Sequence, residues 1–184
     1  MKKFIFMLSV MALPLVFSSC DSEEIEKITG NVSLTVDGKT IEIPAATFTI
    51  FNDRVMVVAS NGSHSVAMYV DATSAGEYTL GICKSILDVG SAISGITKIT
   101  TGSGNYLLYA PSSDVEQNAK IILIGSVNFT SFSSSRIEGN FAGTAFNYDE
   151  MMNLKSDLTA LLSLVSGAGT SISGTFSANK IPGV

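Results

Sequence analysis

The stretch Asn31-Val32-Ser33-Leu34-Thr35-Val36-Asp37-Gly38-Lys39-Thr40-Ile41-Glu42-Ile43 decides the fold class. Val32, Leu34 and Val36 alternate with Ser33, Thr35 and Asp37, and Ile41 and Ile43 then alternate with Thr40 and Glu42. A period of two puts successive side chains on opposite faces of a strand. Asp37-Gly38 between the two runs supplies the residues a type I′ turn needs, because both of its central positions have positive φ. The segment therefore reads as a β-hairpin. Pro44 is expected to end its second arm, since it brings no N–H to a ladder.

Outward from this hairpin the pattern repeats. Val55-Met56-Val57-Val58-Ala59 leads through Asn61-Gly62 to Val66, Met68 and Val70, which alternate with Ser65, Ala67 and Tyr69. The unbroken apolar run in the first arm suggests a strand covered on both faces. Further short strands are expected at Tyr78–Leu80, Tyr106–Tyr109, Lys120–Phe129, Ile137–Phe146 and Ile172–Ala178. Gly-, Asn- and Ser-rich joints separate them. The fold class is mainly β: an antiparallel β-sandwich or flattened barrel, with Phe48, Ile50, Phe129, Phe141 and Phe176 pointing inward.

Two segments depart from this period. From Asp149 to Val165, Met151, Leu154, Leu158, Leu161, Leu162 and Val165 recur at helical spacing, with Lys155, Ser156, Asp157, Thr159 and Ser163 largely opposite. Asn147 with Glu150 fits a capping box and Gly167 follows the last turn, so one amphipathic helix is expected near the C-terminus. It would cover the sheet, either closing a barrel end or serving as a lid. Residues 82–99 stay ambiguous. Ile86, Leu87 and Ile93 would line a helix that Gly90 and Gly95 weaken, while Ile96–Ile99 also suits a strand.

Ile137-Glu138-Gly139-Asn140-Phe141 and Ile172-Ser173-Gly174-Thr175-Phe176 share the pattern Ile-x-Gly-x-Phe. On a strand, Ile, Gly and Phe point to one face, and the Gly leaves room for a bulky neighbour. Two equivalent core strands explain the echo more simply than a duplicated binding stripe does.

The N-terminus carries a different message. Lys2 and Lys3 precede fourteen residues without a charge, Phe4 to Phe17. That run is too short for a bilayer core, which needs about 20 residues, and it has the flanks of a signal-peptide core. Ser18-Ser19-Cys20 follows and resembles a bacterial lipobox, with Phe17 in the place where Leu is commonest. The resemblance implies lipid attachment at Cys20 after removal of residues 1–19. Acyl chains at about 0.8 kcal/mol per buried CH₂ would anchor the chain to a membrane. Asp21-Ser22-Glu23-Glu24 opens an acidic tether over residues 20–30, which spans roughly 30–36 Å at most. It resembles the segment that sends lipoproteins of Bacteroidota to the outer face of the outer membrane. The β-rich domain then occupies residues 31–184. The VDGK hairpin, Gly76-Glu77-Tyr78-Thr79-Leu80-Gly81 and the terminal SISGTFSA are similar to small Bacteroidota cell-envelope β-sandwich lipoproteins of unknown function. That group implies no activity and no functional residues beyond Cys20.

Composition narrows the chemistry. The 184 residues are 46% hydrophobic and 15% charged, which excludes a disordered chain. Eleven Lys and Arg against sixteen Asp and Glu give a net charge of −5, unsuited to nucleic acid. One His and two Cys supply no zinc set, so neither a metal nor a cofactor is expected.

His64 reads as a solvated loop residue with no nucleophile elbow to serve. Cys83, beside Lys84, reads as a small core residue rather than a reactive thiol. Gly102-Ser103-Gly104 lacks the third glycine of a dinucleotide loop. Asp149-Glu150 suits the positive end of a helix better than a glycosidase pair. Asp37, Asp53, Asp71, Glu42, Glu77 and Glu138 fall at turns or on polar strand faces. With no Trp, the only aromatic sugar platforms are Tyr69, Tyr78, Tyr106, Tyr109 and Tyr148.

The expectation is a non-catalytic binding or scaffold module, tethered to the envelope and serving a protein or glycan partner. The alternative is a lipocalin-like carrier of a small apolar ligand.

Overall fold

The computed structural model describes residues 30–85, 95, 97–99, 103–111, 118–154 and 157–181. The expected signal peptide, Cys20 and all of the tether before Gly30 lie outside the described residues. Nine strands follow in order: β1 (Gly30–Val36), β2 (Lys39–Phe51), β3 (Arg54–Ser60), β4 (His64–Val70), β5 (Gly76–Gly81), β6 (Tyr106–Pro111), β7 (Lys120–Phe132), β8 (Arg136–Asn147) and β9 (Thr170–Lys180). Every strand expected from the sequence is present.

The architecture is a barrel rather than a sandwich. Neighbours run β7-β6-β4-β3-β2-β1-β9-β8, and β8 pairs back onto β7 along its whole length, closing eight antiparallel strands. β6 holds only the first residues of β7, and β5 takes the same edge from Ile124 to Phe129. Closure satisfies backbone groups that a sandwich would leave at its edges.

The turns follow the residues. Asp37 and Gly38 both have positive φ, 48° and 78°, as a type I′ hairpin requires. Asn52 and Asp53 make a second such turn, at 50° and 61°, joining β2 to β3. Asn and Asp enter this region more readily than other non-glycine residues. Pro44 does not end its strand. β2 runs through it to Phe51, because a bulge opposite Gly30 and Asn31, with Ala45 at φ 70°, absorbs the missing donor. Beyond the bulge β2 leaves β1 and pairs with β3, while the end of β9 lies parallel to it. The apolar arm Val55–Ala59 is buried on one face and half-buried on the other.

The interior is one contiguous cluster that includes Leu34, Ile43, Phe48, Val57, Met68, Leu80, Leu107, Phe129, Ile137, Phe141 and Phe176. The two Ile-x-Gly-x-Phe strands are antiparallel neighbours whose motifs interlock. Phe141 lies opposite Gly174, and Phe176 opposite Gly139. Each glycine leaves the space that the other motif's ring fills. Phe129 meets Phe176 edge-on at 5.5 Å between ring centres. Ile50 departs from the expected inward set. It stands 47% exposed at the barrel rim, where β2 outruns the strands that would cover it.

The expected single helix is two: α1 (Tyr148–Leu154) and α2 (Leu158–Ser166). Asp157 is extended, and its side chain accepts from the Ala160 N–H at 3.0 Å, so it caps a new helix where the continuous period read through. The Asn147 cap holds, its side-chain oxygen accepting from the Glu150 N–H at 3.0 Å. Gly167 closes α2 in an extended conformation rather than a left-handed one.

The helices lie against the outer wall, not over a barrel end. Met151, Leu161 and Val165 form a second cluster with Ile82, Cys83, Tyr106, Ile121, Leu123 and Phe146, which face away from the interior. Leu154 and Leu162 are half-buried, and the Leu158 side chain lies outside the described residues. Of residues 82–99, Thr97–Ile99 is helical, which sets aside the strand reading there.

Candidate functional site

The richest group of polar and aromatic side chains sits on the outer face of β3, β4 and β6, at the end where β2 turns into β3. Arg54 opens β3. Its Nε lies 2.7 Å from Asp71 Oδ1, and its guanidinium also donates to the Gly104 carbonyl. Tyr69 and Tyr106 are register partners with ring centres 4.9 Å apart. Burial pushes the Tyr69 phenol above the ordinary value, and Arg54 partly opposes this. The Tyr106 phenol is pushed much further up, first by burial, with Tyr69 and Tyr148 adding to the effect and Arg54 opposing it. Tyr148, at the start of α1, is raised by burial and by neighbouring Asp149. These phenols therefore stay protonated at neutral pH.

Asn105 clasps the strands where the ladder is incomplete. Its side-chain oxygen accepts from the Asp71 N–H at 2.8 Å, and its amide donates to the Thr79 carbonyl at 3.1 Å. Its backbone carbonyl takes the Gly81 N–H at 2.8 Å. One residue thus joins the end of β4 to β5. No local pattern in the sequence marks it.

At the opposite end, His64 is not a solvated loop residue. It begins β4, is half-buried, and its Nδ1 lies 2.9 Å from the Tyr109 hydroxyl. The two rings stack at 5.9 Å. Tyr109 belongs to the barrel interior, and burial raises its phenol. The Asn61-Gly62 turn explains the placement: Asn61 Oδ1 accepts from the Ser63 and His64 N–H groups and so fixes the start of β4.

The other sequence candidates scatter. Cys20 lies outside the described residues. Cys83 is buried in the outer cluster. The N–H groups of Ser103 and Gly104 both bond the Lys98 carbonyl and are committed to a turn. Asp149 and Glu150 are exposed on the first turn of α1. Asp37, Asp53, Asp71, Glu42 and Glu77 are exposed, and half-buried Glu138 pairs with Arg136 at 2.7 Å. The Glu77 carboxyl is held below its ordinary value by its hydrogen bond from Lys84, then by Ser126. Of the five tyrosines, Tyr106 and Tyr109 are buried and Tyr69, Tyr78 and Tyr148 half-buried.

Among the described residues, no three of His, Cys, Asp and Glu gather in a way that holds a metal ion. No helix among them is long and apolar enough to cross a membrane.

The fold thus defines a closed eight-strand antiparallel β-barrel with an extra strand and an apolar interior cluster. Compared with known proteins, the chain matches no family model, no curated protein and no solved structure.

Proposed function

We propose that the chain is an envelope lipoprotein, acylated at Cys20 and held at the outer membrane, whose barrel is a non-catalytic binding or scaffold module. The observation that carries this reading is Ser18-Ser19-Cys20 at the end of an uncharged apolar run, followed by an acidic tether. The module's partner is a protein or a glycan. The alternative, a lipocalin-like carrier of a small apolar ligand, has the closed eight-strand barrel in its favour. Phe48, Phe129, Phe141 and Phe176 fill the interior from different strands and weigh against it.

The test is paired. Cys20→Ala should abolish acyl labelling and release the protein from membranes; a labelled, membrane-bound variant refutes the anchor. Crosslinking on intact cells should capture a defined partner with the parent chain. Native mass spectrometry of the purified protein showing a stoichiometric apolar small molecule would instead favour the carrier.

A further inference from the structure

Among the described residues, two large apolar side chains are exposed, and they are adjacent: Ile50 at 47% and Phe51 at 71%. They sit on the tip of the β2–β3 hairpin, beside the Asn52-Asp53 turn. A rigid type I′ hairpin holds Phe51 in water, where burial would be worth far more than exposure.

The position of the tip supplies the occupant. β1 begins at Gly30, which lies opposite Ala46 of β2. Phe51 is five residues further along the same strand, and a strand rises about 3.3 Å per residue, so the tip stands about 16 Å beyond that level. β9 also ends here, with Lys180 opposite Phe48. The tip therefore points out of the end of the barrel at which the chain from Cys20 enters. Nine residues lie between Cys20 and Gly30, and the ten steps at about 3.3–3.6 Å each reach some 33–36 Å. That length lets an anchor at Cys20 lie level with the tip. The described charges around this rim carry both signs: Asp53, Asp71 and Glu138 beside Arg54, Lys98, Arg136 and Lys180.

We propose that Ile50 and Phe51 insert into the surface of the bilayer that holds the acylated Cys20, seating the barrel end-on with β1, β9 and the β2–β3 turn toward the lipid. This inference rests on the anchoring reading above. It makes the opposite end, with the Asp37-Gly38 and Asn61-Gly62 turns, the face presented away from the membrane.

The sequence contains no Trp, so a single introduced one is an unambiguous probe. The full acylated chain carrying Phe51→Trp would be reconstituted into phosphatidylethanolamine–phosphatidylglycerol vesicles. A second chain would carry Ser63→Trp, an exposed site at the opposite end. Flotation and the mass of the N-terminal peptide report the anchor separately. The expected result is emission shifted to shorter wavelength and quenched by brominated lipid for Trp at 51, with neither change at 63. A chain that floats but whose Trp at 51 emits as in water overturns this inference alone. A shifted but unquenched signal means a second copy or another protein covers the tip, and also overturns it. A chain that carries no acyl group and does not float overturns the anchoring reading as well.

Discussion

Gly139→Ala puts the interlock of β8 and β9 to the test. A Cβ on Gly139 would overlap the Asn128 carbonyl oxygen on β7 and approach Phe176 Cζ to 2.8 Å. Gly139 lacks a positive φ, so backbone conformation does not demand glycine there. Intrinsic propensity in fact favours alanine in a strand by roughly 0.5–1 kcal/mol. Only the missing space argues the other way. Overpacking a closed core costs typically about 1–3 kcal/mol. The upper part of that range applies, because a backbone oxygen of a hydrogen-bonded strand must move as well as a ring. At about 2–4 °C per kcal/mol for a domain of this size, Tm should fall by roughly 4–12 °C. Phe176→Leu in the Gly139→Ala background should recover part of the loss and not all, since the clash with Asn128 remains. The assay is thermal melting of the four proteins of this cycle. Gly139→Ala melting at or above the parent temperature would refute the interlock, because propensity would then outweigh packing.

Asn105→Ala removes the side-chain hydrogen bonds from Asn105 to Asp71, just past β4, and to Thr79 of β5, at about 0.5–1.5 kcal/mol each, and should lower stability by about 1–3 kcal/mol in denaturant titration; Asn105→Asp, which sets a carboxylate oxygen against the Thr79 carbonyl, should cost at least as much. Stability should hold up to the ordinary phenol value of 10.0 and decline above it, because the raised native values of Tyr69, Tyr106, Tyr109 and Tyr148 let the unfolded chain release protons first. Tyr106→Phe should make that alkaline decline shallower by about 1.4 kcal/mol per pH unit, and an unchanged slope in melts above pH 10 would count against its burial. Leu161→Asp places a charge in the outer cluster and should speed hydrogen exchange across α1 and α2, while β1 and β9 amides, which belong to the interior cluster, stay protected; uniform acceleration would mean the two cores are one.

The β elements were legible because period-two alternation and Asp-Gly or Asn-Gly turns are local signals. The Ile-x-Gly-x-Phe echo went further. A glycine amid inward-facing residues announces a large neighbour, although the register naming Phe176 over Gly139 and Phe141 over Gly174 appears only in the ladder. The helical period runs through Asp157 unbroken and predicts one helix, because Asp157 is a polar residue on a polar face in the period and a cap only in its backbone geometry. Alternation predicts Ile50 inward, yet it is 47% exposed. Alternation gives the direction of a side chain and not how far the neighbouring strands extend.

The sequence by itself determined the mainly β class, the Asp37-Gly38 and Asn61-Gly62 turns and most of the apolar core set, because alternation and turn residues are signals carried by neighbouring positions. Only the tertiary structure decided that the sheet closes, because closure is the pairing of β7 with β8 combined with that of β4 with β6. Only it joined His64 to Tyr109, Arg54 to Asp71 and Asn105 to both β4 and β5. Those partners lie seventeen to forty-five residues apart. A polar side chain's role depends on which strand the barrel brings beside it, and no local pattern records that.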